Sequence, residues 1–329
     1  MVSGRFLARR LGHGVVVVWA IVTVVFLLRY STPGSVVTTI APLDASPQLK
    51  AEIAKELSLH EPIYVQYAHY LGDLLRFDLG HSYVTNTPVR QLLASRLPQT
   101  LDLAIAATIV AITIAIPLGV VSATRRHTPT DYAATSFSLV GISTPNFWLG
   151  LVLVLVFAVG MGWFPVSGPA RANGEVISAI DVLYAPQLAG RWLIHLTLPA
   201  VTLGTYFTAL LTRLTRSGVL EELEEPYVRT LRSSGLPPVV IRYQHVLRNA
   251  LVPVVTVLGL QLGTLIGGAV ITERVFAWHG LGSLLIDAIN DRDWMVVQGC
   301  LIVIGVGFVV INAVVDGIYA QLDPEVSIE

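Results

Sequence analysis

Six stretches of mostly apolar residues recur along the chain, at about Leu11–Leu28, Thr100–Ala123, Thr135–Val159, Leu193–Leu214, Ala250–Ile271 and Met295–Tyr319. About twenty residues rising 1.5 Å each cross the ~30 Å hydrocarbon core of a bilayer. No water in that core satisfies backbone N–H and C=O groups, so separate apolar segments of this length have one stable form there, the α-helix. The pattern predicts an all-α polytopic membrane protein with six transmembrane helices. Composition agrees, because only 13% of the residues are charged and 53% are hydrophobic, against about 25% charged in soluble domains.

Arg5, Arg9 and Arg10 precede the first stretch, which is too long for a cleaved signal region and has no clean small-x-small site after it, so it reads as a retained span. Arg125 and Arg126 close the second stretch, and Arg213, Arg216, Arg229, Arg232, Arg242 and Arg248 lie in or beside the interval between the fourth and fifth. The positive-inside rule then places both termini in the cytoplasm. A net charge of −1 without any basic block of five or more residues offers nothing to nucleic acid. Cys300, the only cysteine, excludes a disulfide framework and cannot form a thiol or metal site alone.

The chain divides into a tail and first span over 1–30, an external helical cap over 31–99, and a five-helix core over 100–329 with a cytoplasmic loop at 215–250. In the cap, Ser46 and Pro47 read as an N-cap and first turn, followed by Leu49, Ile53 and Leu57 at a spacing of four. Tyr64, Tyr67 and Tyr70 follow Pro62 near helical spacing as packing residues rather than a ligand cage, and the run closes at Gly80. Pro117 and Gly119 interrupt the second span, and Trp163, Phe164 and Trp192 sit where interfacial aromatics belong. Gly259, Gly263, Gly267 and Gly268 suit close helix packing, with backbone lining a substrate path as the second reading. Asp102, His195 and Asp316 fall near span ends, which suits interfacial roles better than a proton relay at mid-depth.

One long polar interval, Val219–Val255, separates two bilayer-length segments. Pro226 opens a helix of about nine residues behind the acidic run Glu221, Glu222, Glu224 and Glu225, and Gly235 stops it. Pro237 and Pro238 open a second helix to about Asn249, and Pro253 starts the next span. Helical spacing puts Val240, Tyr243 and Leu247 on one face of that second helix, for packing, and Arg242, His245 and Asn249 on another, for a partner.

These residues resemble the membrane-spanning subunits of ABC importers, in the branch that takes up dipeptides, oligopeptides and nickel. The family's coupling loop reads Glu-Ala-Ala, three residues, Gly, nine residues, Ile-x-Leu-Pro. Gly235 and Leu247 match it, while Arg229, Thr230 and Leu231 stand at the Glu-Ala-Ala positions, His245 at the Ile and Arg248 at the Pro. The runs Arg229–Leu236 and His245–Ala250 look like the peptide branch's own version, with Leu231 where that branch usually has Ala. The segment 276–282 and the Gln321-Leu322-Asp323-Pro324 run resemble further family features.

The resemblance implies the type I importer transmembrane fold in a prokaryotic inner membrane. It also implies a second, non-identical permease subunit, two ATP-binding subunits and an extracytoplasmic substrate-binding protein. Tyr227, Arg229, Thr230, Leu231, Gly235, His245, Arg248 and Asn249 would then meet the ATP-binding subunits. ATP and Mg are expected on those subunits, since Lys50 and Lys55 are the only lysines and neither sits in a Gly-Lys-Ser/Thr loop. Neither His-Glu-x-x-His nor Gly-x-Ser-x-Gly occurs, so the chain reads as a non-enzyme with no cofactor of its own. Asn146 and Gln261 are candidates for the translocation path and equally for interhelical hydrogen bonds. A gradient-driven carrier is the alternative from another class, and nickel or another small solute the alternative cargo.

Overall fold

The computed structural model describes residues 4–31, 37, 41, 45–56, 59–172 and 174–322. Leu57, Asp323 and Pro324 lie outside them, as do the surroundings of Gly267, Gly268 and Asp316. The elements are α1 (Gly4–Ser31), α2 (Pro47–Glu56), α3 (Ile63–Leu75), α4 (Val89–Thr124), α5 (Pro129–Ser143) and α6 (Asn146–Gly160, π-helical from Val154). A two-stranded hairpin, β1 (Arg171–Ala172) and β2 (Glu175–Val176), precedes α7 (Ala179–Tyr184) and α8 (Ala189–Glu224). The remainder comprises α9 (Pro226–Ser233), α10 (Pro238–Ala250), α11 (Val252–Gly268), α12 (Val270–Val275), α13 (Leu281–Asn290) and α14 (Trp294–Leu322).

Among the described residues, three helices are long and apolar enough to cross a membrane, Val89–Thr124, Pro186–Glu224 and Trp294–Val315, and two bent pairs bring the number to five. Gly12–Leu28 is a shorter apolar helix within α1. The third apolar stretch, expected as one rod, is instead α5 and α6 bent by 106°. Pro145 is the cause: it lacks an N–H and drives Thr144 into extended backbone (φ −85, ψ 123). A second bend, of 48°, separates α10 from α11 where the fifth stretch begins, and Pro253 removes a backbone donor from the first turn there. Pro117, expected to interrupt the second span, does not, and α4 passes unbroken through both Pro98 and Pro117.

The core is the parallel pair α4 and α8. A Cβ on Gly204 would lie 2.8 Å from the Ala107 carbonyl oxygen, and one on Gly119 would lie 2.6 Å from Thr215 Cβ, so the two backbones touch at both levels. Leu103, Ala107, Ala111, Leu203 and Leu211 fill the seam with Val254 and Trp278. Four threonines of α8 cross this apolar layer at small cost, because Thr202, Thr205, Thr208 and Thr212 each donate to the carbonyl four residues back at 2.7–2.8 Å. α14 runs antiparallel to α11, with Gly259 against Val315 and Gly263 against Phe308, and antiparallel to α1, with Gly305 against Ile21. Gly259 and Gly263 are thus packing glycines.

The helix α3 is tied to the bundle by aromatic contacts. Tyr67 and Tyr70 lie 5.1 and 5.3 Å from Phe26 by ring centroid, and Tyr67 shares a hydrogen bond with Thr23 at 2.5 Å, while Tyr64 is exposed. Ser46 accepts from the Leu49 N–H, the expected N-cap. Asp102 accepts from the Ala179 N–H (2.9 Å) and Trp192 Nε1 (3.2 Å), and His195 Nδ1 donates to the Gly168 carbonyl (2.9 Å), so both residues fasten the segment around the hairpin to α4 and α8.

Candidate functional site

The polar interval folds as helix, turn and helix at the ends of α4 and α8. Pro226 is the first residue of α9, which stops at Ser233. Gly235 then takes a left-handed backbone (φ +77), its N–H donates to the Arg232 carbonyl at 3.0 Å, and the Leu236 N–H donates to the Leu231 carbonyl at 3.3 Å. These two bonds are the Schellman pattern, in which glycine is favoured because a Cβ disfavours positive φ. Val228, Ile241, Val246 and Ala250 anchor the loop against Val120, Ala123 and Val219.

The face expected to pack, Val240, Tyr243 and Leu247, is not the buried one. Tyr243 is 53% exposed, while Ile241 and Val246 are buried, although Leu247 keeps a partial contact. Residues 241–246 are π-helical, and the wider turn brings positions five apart onto one face. On the face expected to meet a partner, Arg242 and Asn249 are exposed and His245 is half-buried.

The structure separates six of the eight candidate coupling residues into two groups. Tyr227 and Asn249 meet at a knot around Glu222: the Tyr227 hydroxyl donates to Glu222 Oε2 at 2.6 Å, and Asn249 Nδ2 reaches Glu222 Oε2 at 3.3 Å and the Tyr227 oxygen at 3.4 Å. Burial and the neighbouring Glu222 carboxylate push the Tyr227 phenol up to about 12. Arg229, Thr230, Gly235 and Arg248 form the second group, exposed around the turn, and among the described residues neither arginine makes an ion pair. Leu231 is half-buried against the anchoring cluster. Glu222 was missed as an individual, since the acidic run reads as a helix-dipole feature; its distinguishing signal is its place on α8 beside a tyrosine at the start of the next helix.

Tyr227→Phe removes one charge-assisted donor worth about 1 kcal/mol in this half-exposed setting. Amide hydrogen exchange over 226–250 should quicken about fivefold, with exchange in α4 unchanged; unchanged exchange in both would remove Tyr227 from the knot's mechanics.

Asn146 and Gln261 lie away from this loop. Asn146 is half-buried at the first residue after the 106° break, beside exposed Phe147 and Trp148, and Gln261 is half-buried midway along α11. Among the described residues no group of three His, Cys, Asp or Glu side chains is placed to hold a metal ion.

Residues 115–328 match the family of binding-protein-dependent transport system inner membrane components, and residues 3–104 match that family's N-terminal region. The chain is 40% identical to the di/tripeptide transport system permease protein DppB of Pseudomonas aeruginosa, covering 98% of both chains. It is 40% identical to the dipeptide permease protein DppB of Alkalihalophilus pseudofirmus, over 92% of this chain and 93% of that one. It is 37% identical to the oligopeptide permease protein AppB of Bacillus subtilis, over 98% of each. An inward-facing structure of the MetNI methionine ABC transporter shares the fold at a TM-score of 0.54 and 18% identity, covering 71% of this chain and 97% of that one. With this match over most of its length and several apolar helices in its fold, the chain belongs to the binding-protein-dependent transport system inner membrane components, as a multi-pass membrane protein.

Proposed function

We propose that the chain is one of two non-identical permease subunits of an ATP-driven importer of di- or oligopeptides. The observation that carries this reading is identity of 37–40% along nearly the whole chain to permeases named for di-, tri- and oligopeptide transport. Six crossings, counting α1 and each bent pair as one, return the C-terminus to the side on which the N-terminus starts. The arginines around 125–126 and 213–248 make that side the cytoplasm. There the 215–250 loop meets an ATP-binding subunit through Arg229, Thr230, Gly235, His245 and Arg248, with Tyr227, Asn249 and Leu231 holding the loop's shape. ATP and Mg bind between two such partner subunits, and an external binding protein delivers peptide to the side carrying the 31–99 cap. Asn146, at the break between α5 and α6, and Gln261 face the pathway.

Purification of the tagged chain from its native membrane in mild detergent tests this. A sister permease, ATP-binding subunits and ATPase activity stimulated by the external binding protein are expected to co-purify. Recovery of the folded chain alone, with uptake that persists without ATP and collapses with an uncoupler, would replace the reading by a gradient-driven carrier.

A further inference from the structure

Apart from the candidate coupling residues, one buried carboxylate binds three elements at the same end of the bundle. Asp131, in the first turn of α5, is only 3% exposed. Its Oδ1 accepts from Ser122 Oγ at 2.6 Å, in the last turn of α4, and its Oδ2 accepts from the His127 backbone N–H at 3.0 Å. Arg216 of α8 closes the set as a two-pronged pair, Nε to Oδ1 at 2.7 Å and a terminal nitrogen to Oδ2 at 3.0 Å. Buried ion pairs rarely outperform well-packed apolar side chains in stability. What a guanidinium fork adds is geometry, since two parallel bonds fix both distance and rotation between the helices.

The position of this fork gives that rigidity a use. Arg216 lies on α8 six residues before Glu222, about 9 Å along the axis, and Glu222 holds Tyr227 and Asn249. Between them Gly218 seats the Ala250 backbone, whose carbonyl oxygen would lie 3.0 Å from an added Cβ. The end of α8 is thus gripped by the loop on one side and by Asp131 on the other. From Asp131, α5 runs directly to the 106° break at Thr144 and Pro145.

We propose that the Asp131–Arg216 pair is the joint that carries displacement of the 215–250 loop into α5 and so to the broken span. Both are positioning residues, and the proposal rests on the importer reading. The joint makes the ends of α4, α5 and α8 turn as one body. Without it, the loop moves α8 and leaves the break behind.

The test uses the complete complex in proteoliposomes with its external binding protein, reading uptake of labelled dialanine per ATP hydrolysed. In Asp131→Asn and Arg216→Lys, assembly and stimulated ATPase should stay within about threefold of the unaltered complex, while uptake per ATP falls about tenfold. In Asp131→Cys/Arg216→Cys, bridging the thiols with a short bis-methanethiosulfonate should restore uptake per ATP, and reduction should abolish it again. A purely structural staple would lower the amount of assembled complex and leave that ratio untouched. An unchanged ratio in Arg216→Lys, or equal ratios with and without the bridge if Asp131→Asn fails to assemble, overturns the proposal. Absence of ATP-dependent uptake by the unaltered complex would instead overturn the importer reading.

Discussion

Gly280→Val is expected to remove the folded protein from the membrane. Gly280 has an extended backbone (φ −96, ψ −171) that any residue adopts, so the constraint is steric. A Cβ there would sit 2.2 Å from Glu273 Oε1 and 2.5 Å from Thr100 Oγ1. Glu273 is fully buried, accepting from Thr100 Oγ1 at 2.8 Å and the Ser283 N–H at 2.7 Å, while Thr100 Oγ1 also accepts from the Leu281 N–H at 2.8 Å. The 276–282 turn is thereby clamped to α4 about three turns in, where Trp278 Nε1 also donates to the Gln99 carbonyl at 2.9 Å. Room for the side chain comes by displacing either the turn or the Glu273 and Thr100 side chains, and both break the bonds that hold Glu273, leaving a buried carboxylate short of partners. That mechanism belongs to the large-effect class, on the order of 4 kcal/mol. Gel filtration of the detergent-solubilised chain should recover under a tenth of the normal yield. Gly190→Val, where an added Cβ meets open space, should recover it nearly all. A monodisperse Gly280→Val protein at full yield would remove Glu273 from its role as a clamp.

Glu273 also shows where sequence reading stops. Its residue type and the polar segment after it suggest an exposed external residue, and nothing local announces that Thr100, 173 positions earlier, closes around it. Asp131 and Arg216 fail in the same way: each looks like an end-of-span charge until the bundle brings them together across 85 residues. What is legible is whatever repeats locally. The apolar stretches locate the membrane-length helices, Ser46 and Pro47 mark the start of α2, and Pro226 and Gly235 bound α9. The proline signal was ambiguous, since α4 absorbs Pro117 whereas Pro145 breaks the third span. A proline costs a helix one backbone bond in either case, and the neighbouring helices decide whether the rod stays straight. The π-helical stretch was beyond a 3.6-residue template altogether, because its register is set by Ile241 and Val246 packing on Val120 and Val219.

Gly235 is the opposite kind of glycine, and under the proposed function its replacement should uncouple rather than unfold. An added Cβ would meet nothing within 4 Å, yet φ is +77, so the penalty lies wholly in the backbone. For a β-branched residue in the left-handed region that penalty is about 1–2 kcal/mol. The chain escapes it by unwinding the end of α9, which gives up the Arg232–Gly235 and Leu231–Leu236 bonds and turns Arg229 and Thr230 away from their places. The membrane helices are untouched, so Gly235→Val should assemble at the normal level. A shift of 1–2 kcal/mol in the docking-competent population corresponds to roughly a tenfold loss of peptide uptake per ATP hydrolysed, with ATPase activity persisting. Gly235→Asn should retain most of the coupling, because asparagine tolerates positive φ and serves the same cap. Equal uptake per ATP in Gly235→Val and the unaltered complex would mean that the turn's conformation plays no part in engaging the ATP-binding subunit. A loss shared equally by the valine and asparagine variants would place the requirement in the absence of a side chain at the interface instead.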